Sequence, residues 1–406
     1  MAVAAWIRCQ SLLQRNWPAP CMTLCAISIS QLVLNEIAWS PGDPGTGAPS
    51  FLGIGTVGLR EAASIFTMPY PIALFLASPQ MEADAAPAAD HVATSGMSED
   101  IRYNKAFDLV PGRIAEVAPG VRAIVANNPS PFTFKGTVSY IVGRGNVAII
   151  DPGPEDDAHI AALLDAVRGE SVSAIFVTHT HRDHSPAVPK IKAATGATVY
   201  AEGPHRPARA LNVGEGRRLD ASADIDFRPD LALADGEVIA GNGWTIEALT
   251  TPGHTANHMA FALKEADLIF SGDHVMAWST SIVAPPDGAM SDYMASLEKL
   301  ARRSEPIYFP GHGGPVRDAQ QFVRSYIRHR QAREVSILRR LGKGAADIAT
   351  LVRAIYIGID PRLTGAAALS VLAHLEDLVA RGVVATEGIP SLAGTYRLAD
   401  APLPAG

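Results

Sequence analysis

The sequence is almost without cysteine. Its three cysteines, Cys9, Cys21 and Cys25, all lie within the first 25 of 406 residues. The rest of the chain therefore has neither a disulfide framework nor a thiolate metal ligand. Any metal centre there must be built from nitrogen and oxygen donors.

The chain also lacks an excess of basic residues and a long uninterrupted hydrophobic run. Its formal net charge is −7, so binding to nucleic acid would need a local basic patch. The apolar run from Cys21 to Ile37 is interrupted by Ser28, Gln31 and Glu36, and it is too short and too polar to span a bilayer. We therefore expect no membrane partner and a cytoplasmic location.

Residues 1–96 differ in kind from the rest of the chain. They lack sustained periodicity and contain stretches rich in Pro, Gly and Ala. Met97 opens a segment that is typical of a domain start. We interpret residues 1–96 as a poorly ordered extension or the product of a mis-assigned translation start.

From Ile101 onward, β-rich and helical stretches alternate until about residue 315. Turn signals such as Gly143-Arg-Gly separate the strands, and residues 155–168 carry apolar residues at helical spacing. This pattern predicts a layered α/β domain over residues 97–315. The predicted strands include Val121–Val125, Thr137–Val142, Asn146–Asp151, Ala174–Thr178, Trp244–Leu249, Met259–Leu263, Leu268–Phe270 and Ile307–Phe309.

Residues 178–184, Thr-His-Thr-His-Arg-Asp-His, hold the densest group of ligating side chains: His179, His181, Asp183 and His184. Imidazole is a good ligand for zinc and similar cations. The group follows a predicted buried strand, and the loop after a strand is the usual place for chemistry in an α/β protein. The segment therefore predicts a metal site.

Three later residues repeat this arrangement. His254, Asp273 and His312 each follow a predicted strand and lie close to a glycine, which lets the backbone turn sharply. One catalytic zinc needs three protein ligands, so seven candidates are enough for two metals that share a carboxylate.

These motifs, in this order, resemble the metallo-β-lactamase fold superfamily of metallohydrolases over about residues 105–315. The resemblance implies an αββα sandwich, with His179, His181 and His254 around a first metal and Asp183, His184 and His312 around a second. Asp273 would bridge the two metals, and Asp151 would fix the histidine loop. The implied cofactors are two Zn²⁺ ions, although Mn²⁺ or Fe is also compatible with these ligands.

The resemblance also implies the chemistry. A metal-bridging hydroxide would be the nucleophile, with Asp183 and Asp273 as catalytic residues. His258, four residues after His254, is a candidate substrate contact or proton donor, with a polar rim position as the alternative. We expect His274 to be structural, and we interpret the isolated His159, His205, His329 and His374 as solvated or hydrogen-bonded.

The C-terminal region predicts a second domain. A polar helix over residues 316–343, rich in arginine, links to helices at Ala346–Tyr356 and Thr364–Arg381 and to a hairpin, with Thr364 as N-cap and Gly382 as C-terminal stop. Three helices and a hairpin over residues 344–406 predict a small winged-helix domain. The arginines are those of a solvated helix face or of an anion-binding surface: Arg324, Arg328, Arg330, Arg333, Arg339 and Arg340.

A metallo-β-lactamase domain followed by a winged helix resembles the β-lactamase-like protein 2 family, some members of which are endoribonucleases on single-stranded RNA. The segments beginning at Thr251, Ser271 and His329 carry this resemblance. It implies a dinuclear zinc-dependent hydrolase. Single-stranded RNA is slightly favoured as its substrate over a small ester or thioester. The alternative from another class is a winged-helix nucleic-acid-binding regulator with a degenerate metal domain. The oligomeric state is left open.

Overall fold

The computed structural model describes residues 101–212 and 223–399. The extension predicted over residues 1–96 lies outside the described residues.

Two stacked β-sheets form the centre of the first domain. The first sheet follows the order of the chain, with antiparallel neighbours up to β4 and parallel neighbours beyond it. Its strands are β1 (Ala115–Ala118), β2 (Val121–Val125), β3 (Val138–Arg144), β4 (Asn146–Ile150), β5 (Ser171–Phe176), β6 (Thr198–Ala201) and β7 (Leu231–Ala232).

The second sheet has the order β13-β12-β11-β10-β9-β8, and its β11–β12 pair is parallel. Its strands are β8 (Val238–Gly241), β9 (Trp244–Thr250), β10 (Met259–Leu263), β11 (Leu268–Gly272), β12 (Ile307–Pro310) and β13 (Val316–Arg317).

The central strands β4, β10 and β11 are apolar and buried along almost their whole length because both faces of each sheet are covered there. Along β3, Tyr140 points into the core between the sheets, while its neighbour Ile141 points to the outer face. Phe176, Phe261 and Phe270 fill the same inner core. A strand buried on both faces is expected to be continuously apolar, which is the pattern that the sequence showed.

Helices cover both outer faces. On the first sheet lie α1 (Asp157–Ala166), capped by the Asp156 side chain, and α2 (Val188–Thr195). On the second sheet lie α3 (Met290–Leu300) and the first half of α4 (Ala319–Leu341). The layers therefore run αββα, as the sequence resemblance implied.

The second half of α4 belongs to the C-terminal domain. Its Ile337 and Leu341 pack against α5 (Ile348–Ile355) and α6 (Thr364–Ala380). A small sheet in the order β14-β16-β15 completes the winged helix. Its strands are β14 (Ala346–Asp347), β15 (Val384–Thr386) and β16 (Thr395–Leu398).

Two local predictions about this region were wrong. The helix does not begin at Val316, because residues 316–317 pair with β12 as an edge strand of the second sheet. Thr364 is not an N-cap, because a 3₁₀ turn capped by Asp360 already starts the helical path at Pro361. Gly382 does stop α6, with a φ of 70°.

In the part of the chain that the structure describes, the segment Pro361–Ala380 is long and apolar enough to cross a membrane by composition, with a mean hydropathy of 1.4. Its apolar side chains, including Val371, Leu372, Leu375 and Leu378, form the core of the C-terminal domain. That packing accounts for its hydropathy.

Candidate metal centre and cleft

The loop after β5 is held in shape by Asp151, which follows β4. The Asp151 backbone has a φ of 48°, and Asp is among the few residues that adopt this conformation readily. Its carboxylate accepts hydrogen bonds from the Thr178 backbone N–H and hydroxyl, each at 2.7 Å. It also lies 2.9 Å from His184 Nδ1. One buried carboxylate therefore fixes both ends of the histidine loop, as the family resemblance implied.

Three histidine nitrogens converge on one point. His181 Nδ1 lies 3.0 Å from His179 Nε2 and 3.1 Å from His254 Nε2. Zinc–nitrogen bonds of about 2.0–2.1 Å in a tetrahedron separate the ligand atoms by about 3.4 Å. The three nitrogens are thus spaced for a single cation.

The outer nitrogen of each of these rings has an acceptor. His179 Nδ1 lies 3.0 Å from the Thr178 hydroxyl, and His254 Nδ1 lies 2.7 Å from the Ile282 carbonyl oxygen. His181 Nε2 lies 2.8 Å from Asp287 Oδ2. These acceptors hold the proton on the outer nitrogen, so the lone pair of the inner nitrogen points into the site.

A second group lies beside the first. Asp183 Oδ2 is 3.3 Å from His184 Nε2 and 3.2 Å from His312 Nε2. It also accepts a hydrogen bond of 2.9 Å from the Thr137 hydroxyl. His184 follows a strand of the first sheet and His312 follows a strand of the second, and a ring nitrogen of each lies close to the same Asp183 oxygen.

Asp273 lies between the two groups. Its Oδ2 is 3.2 Å from His312 Nε2 and 3.7 Å from His254 Nε2, and its Oδ1 is 3.6 Å from His184 Nε2. The carboxylate therefore faces histidines of both groups. Gly311 makes room for it, because a Cβ there would lie 2.5 Å from Asp273 Oδ1.

Two buried atoms of the cluster have no hydrogen-bond partner: His184 Nε2 and Asp273 Oδ1. A buried polar atom without a partner is costly, and both of these face the centre of the cluster. The donor set is nitrogen and carboxylate oxygen, which suits zinc and its neighbours. The residues present therefore fit a pair of divalent cations.

The pKa shifts within the cluster also fit a site for divalent cations. Burial lowers the pKa of His254 to about 4 and holds the pKa of His179 well below its usual range. Burial alone would raise the pKa of Asp273, but the adjacent His312 and His184 outweigh it and keep that pKa well below normal. For His312, burial is outweighed by Asp273 and Asp183, which raise its pKa to about 9. Protons on the second group thus balance its carboxylates, and a cation would displace them.

The cluster lies at the base of a cleft of about 730 Å³. Most of its wall is apolar, and α6 of the C-terminal domain contributes to it. The apolar part of the wall is Phe132, Pro154, Met276, Ile282, Ala284, Pro285, Pro286, Ala366 and Leu369. Among the described residues that line this cleft, Arg182 is the one with a permanently cationic side chain.

The structure does not support a catalytic contact by His258. Its ring is fully buried and does not line the cleft. Its Nδ1 lies 2.8 Å from the Thr251 hydroxyl, and its Nε2 accepts the backbone N–H of Asp273 at 3.2 Å. With both nitrogens in use, His258 is a positioning residue for the Asp273 loop.

The other histidines have packing or hydrogen-bonding environments. His274 packs on the Tyr293 ring at 4.4 Å, and His159 lies 2.8 Å from the Ser139 hydroxyl. His205 is closer to the metal centre than its isolation in sequence indicated, because its Nε2 lies 3.6 Å from Asp287. Burial lowers the pKa of both His329 and His374, and the neighbouring Arg330 and Arg333 of α4 lower it further. The interpretation of His374 was wrong, because its ring is buried and neither nitrogen has a hydrogen-bond partner among the described residues.

Sequence reasoning missed Asp287 and Thr137. Asp287 lies in the loop between β11 and α3, with no strand directly before it, so the pattern that marked the other residues does not reach it. Thr137 lies directly before β3 and resembles any other strand residue in sequence. Only the tertiary structure places them against His181 and Asp183.

The arginines of α4 divide into two sets. Arg324, Arg328 and Arg339 are exposed, which agrees with a solvated face. Arg330 is 3% exposed and donates to the Ser281 carbonyl oxygen. Arg333 lies over the Tyr356 ring at 4.1 Å. None of these lines the cleft above the metal centre.

Comparison with known proteins agrees with this architecture. Residues 132–312 match the metallo-beta-lactamase superfamily, and residues 348–391 match the beta-lactamase associated winged helix domain. The beta-lactamase-like protein 2 homolog of Drosophila melanogaster is 32% identical over 285 residues, which are 68% of this chain and 92% of the relative. An atrochrysone carboxyl ACP thioesterase of Aspergillus fumigatus is 29% identical over 258 residues, covering 59% of this chain and 74% of that protein.

Among solved structures, a metallo-beta-lactamase family protein from Thermus thermophilus superposes with a TM-score of 0.57 at 25% identity, covering 70% of this chain and all of that chain. A beta-lactamase domain protein from Burkholderia ambifaria gives a TM-score of 0.58 at 21% identity, covering 73% and 97%. The second likeness concerns the fold alone. Together with the metal-ligand cluster, these matches place the chain in the metallo-β-lactamase superfamily of hydrolases, within the family of the beta-lactamase-like protein 2 homologs.

Proposed function

We propose that this chain is a dinuclear metal-dependent hydrolase of esters or thioesters that carry an apolar acyl group. The observation that carries the proposal is the position of Asp273 between two groups of ligands at the base of an apolar cleft. His179, His181 and His254 would hold one cation, and Asp183, His184 and His312 the other. Zinc suits this donor set, and manganese or iron is compatible with it.

The chemistry divides between the metals and the chain. With two divalent cations bound, the site would supply an activated water at neutral pH and a polarised substrate carbonyl. Asp183, held by the hydrogen bond from Thr137, would orient the attacking water and accept its proton. Asp287 and the Ile282 carbonyl oxygen keep His181 and His254 in the ligating tautomer.

The composition of the cleft supports an acyl substrate over a polyanion. Binding along a nucleic-acid strand requires several cations against the phosphates. The described wall of this cleft contributes Arg182, while Phe132, Met276 and Leu369 offer apolar surface. The similar fungal protein that is named a thioesterase supports the same preference.

The test is a substrate panel on the full-length protein loaded with zinc, manganese or iron. The panel contains a hexanoyl thioester, S-lactoylglutathione, a cephalosporin and a labelled single-stranded RNA. We expect hydrolysis of the hexanoyl thioester and its loss by about a hundredfold or more in His181→Ala and Asp273→Asn. Asp267→Asn, at an exposed carboxylate, is the matched control and should keep full activity.

Two results would replace the proposal. RNA cleavage that depends on Asp273, with the thioesters intact, would make the chain an endoribonuclease. Binding of duplex DNA that Asp273→Ala leaves unchanged, with no hydrolysis of any substrate, would favour the regulator. Activity that survives His181→Ala would refute the metal assignment itself.

A further inference from the structure

A second cavity adjoins the metal cleft at the junction of the two domains. It has a volume of about 300 Å³ and shares Phe132, Met276, Ile282 and Ala366 with the cleft. Its remaining wall is formed by Tyr103 and Pro131, by the loop after β11, by α4 and α6, and by the connection between α5 and α6. The two cavities therefore lie on either side of a shared set of wall residues.

This junction cavity carries two positive charges without a carboxylate partner. Arg330 and Arg333 both line it, and no carboxylate of the described residues forms an ion pair with either. Arg330, which is 3% exposed, bonds only neutral oxygens, those of Ser281 and Ser370. Nearby acidic residues are engaged elsewhere, because Glu334 pairs with Arg381 at 2.7 Å. Buried charges in proteins are normally paired, so a cavity lined by the buried Arg330 and by Arg333 is suited to an anion.

Four buried N–H or ring-nitrogen atoms on the wall of the cavity also have no hydrogen-bond partner. They belong to two guanidiniums, an imidazole and an indole: Arg330 Nε, Arg333 Nε, His329 Nδ1 and Trp278 Nε1. A cluster of unused nitrogens around two guanidiniums is suited to a phosphate or carboxylate, which accepts several charge-assisted hydrogen bonds.

We propose that the junction cavity binds an anionic group of the substrate, a phosphate or a carboxylate, while the apolar acyl part occupies the cleft above the metals. This inference rests on the proposed esterase or thioesterase function. It assigns to the C-terminal domain a part in substrate recognition, because α4, α6 and the connection between α5 and α6 line the anion site.

The first test measures the anion site without the metals. Inorganic phosphate is titrated by calorimetry into the full-length protein from which metal has been removed by a chelator. We expect saturable binding that weakens by about tenfold or more in Arg333→Gln and is largely kept in Arg333→Lys. Arg324→Gln, on the exposed face of the same helix, is the control and should bind like the wild type. No binding to the wild type, or equal binding to Arg333→Gln, overturns the proposal.

The second test uses a pair of substrates that differ only in the anion. S-hexanoyl pantetheine 4′-phosphate and S-hexanoyl pantetheine are compared on the metal-loaded protein. We expect the phosphorylated thioester to have a KM about tenfold lower with a similar kcat, and Arg333→Gln to remove the difference. Equal KM values in the wild type would overturn the proposal. If neither thioester is hydrolysed while phosphate binding still depends on Arg333, the anion site stands and the proposed hydrolase function fails.

Discussion

Replacement of Asp287 by alanine is expected to weaken metal binding at one of the two sites. Asp287 lies 2.8 Å from His181 Nε2, and its side chain is only 10% exposed. A hydrogen bond to a charged group contributes about 1.5–3 kcal/mol, which corresponds to about 10- to 150-fold in affinity. Loss of such an outer partner typically costs about 10- to 100-fold in metal affinity. We therefore expect the affinity of the site that contains His181 to fall by about 10- to 100-fold.

The assay is competition for zinc against a chromophoric chelator, which separates the first and second equivalents of metal. Asp287→Asn should lie between the wild type and Asp287→Ala, because an amide oxygen can still accept from Nε2–H without the charge. Asp267→Asn serves as a control for the loss of a distant, exposed carboxylate. Wild-type affinity for both equivalents in Asp287→Ala would refute the role of Asp287 in orienting His181.

Three further outcomes follow from the site and its surroundings. Removal of metal should lower the apparent free energy of unfolding by about 2.7 kcal/mol, relative to protein in a free metal concentration of about a hundred times the dissociation constant. A melting temperature that does not depend on zinc would contradict this. Gly311→Ala should reduce bound metal measured by atomic absorption, because its Cβ would lie 2.5 Å from Asp273 Oδ1 and 2.6 Å from His184 Cε1; full occupancy would show that the loop shifts at no cost. Burial lowers the pKa of His159 to about 4 from its usual 6.5, so the unfolded chain binds this proton more readily and stability is lost as the pH falls from about 6.5 to about 4. His159→Gln should therefore remove up to about 3 kcal/mol of the acid-induced loss seen in denaturant unfolding curves, and parallel curves for the two proteins would contradict it.

The sequence predicted best those features whose position depends on a local pattern of apolar and ligating residues. The strands β3, β4 and β5 are apolar on both faces because helices and a second sheet cover them, and that composition is visible without a structure. His254, Asp273 and His312 each follow such a strand within four residues. A strand end followed by a ligating residue is a local signal, so their convergence could be expected.

The residues that were missed or misassigned depend on contacts distant in sequence. Asp287 reaches His181 across 106 positions, and Thr137 reaches Asp183 across 46. His258 lies four residues after His254, and this spacing predicted that its side chain would face the cleft. Because β10 begins at Met259, the ring of His258 is instead buried in the core. The spacing of residues in the sequence cannot predict these contacts, because a hydrogen bond between two loops depends on how the two sheets stack.

The structure of α6 argues against a DNA-reading role for the winged helix. A recognition helix must present basic and polar side chains to the phosphates and base edges of the major groove. Residues 364–380 contain no lysine or arginine, and their one histidine, His374, is buried. One face of α6 packs in the domain core, and another contributes Ala366 and Leu369 to the wall of the cleft above the metals. The helix that would enter DNA in a regulator thus already forms part of the wall of the cleft, so the winged helix completes that wall, while Arg330 and Arg333 of α4 line the adjoining junction cavity.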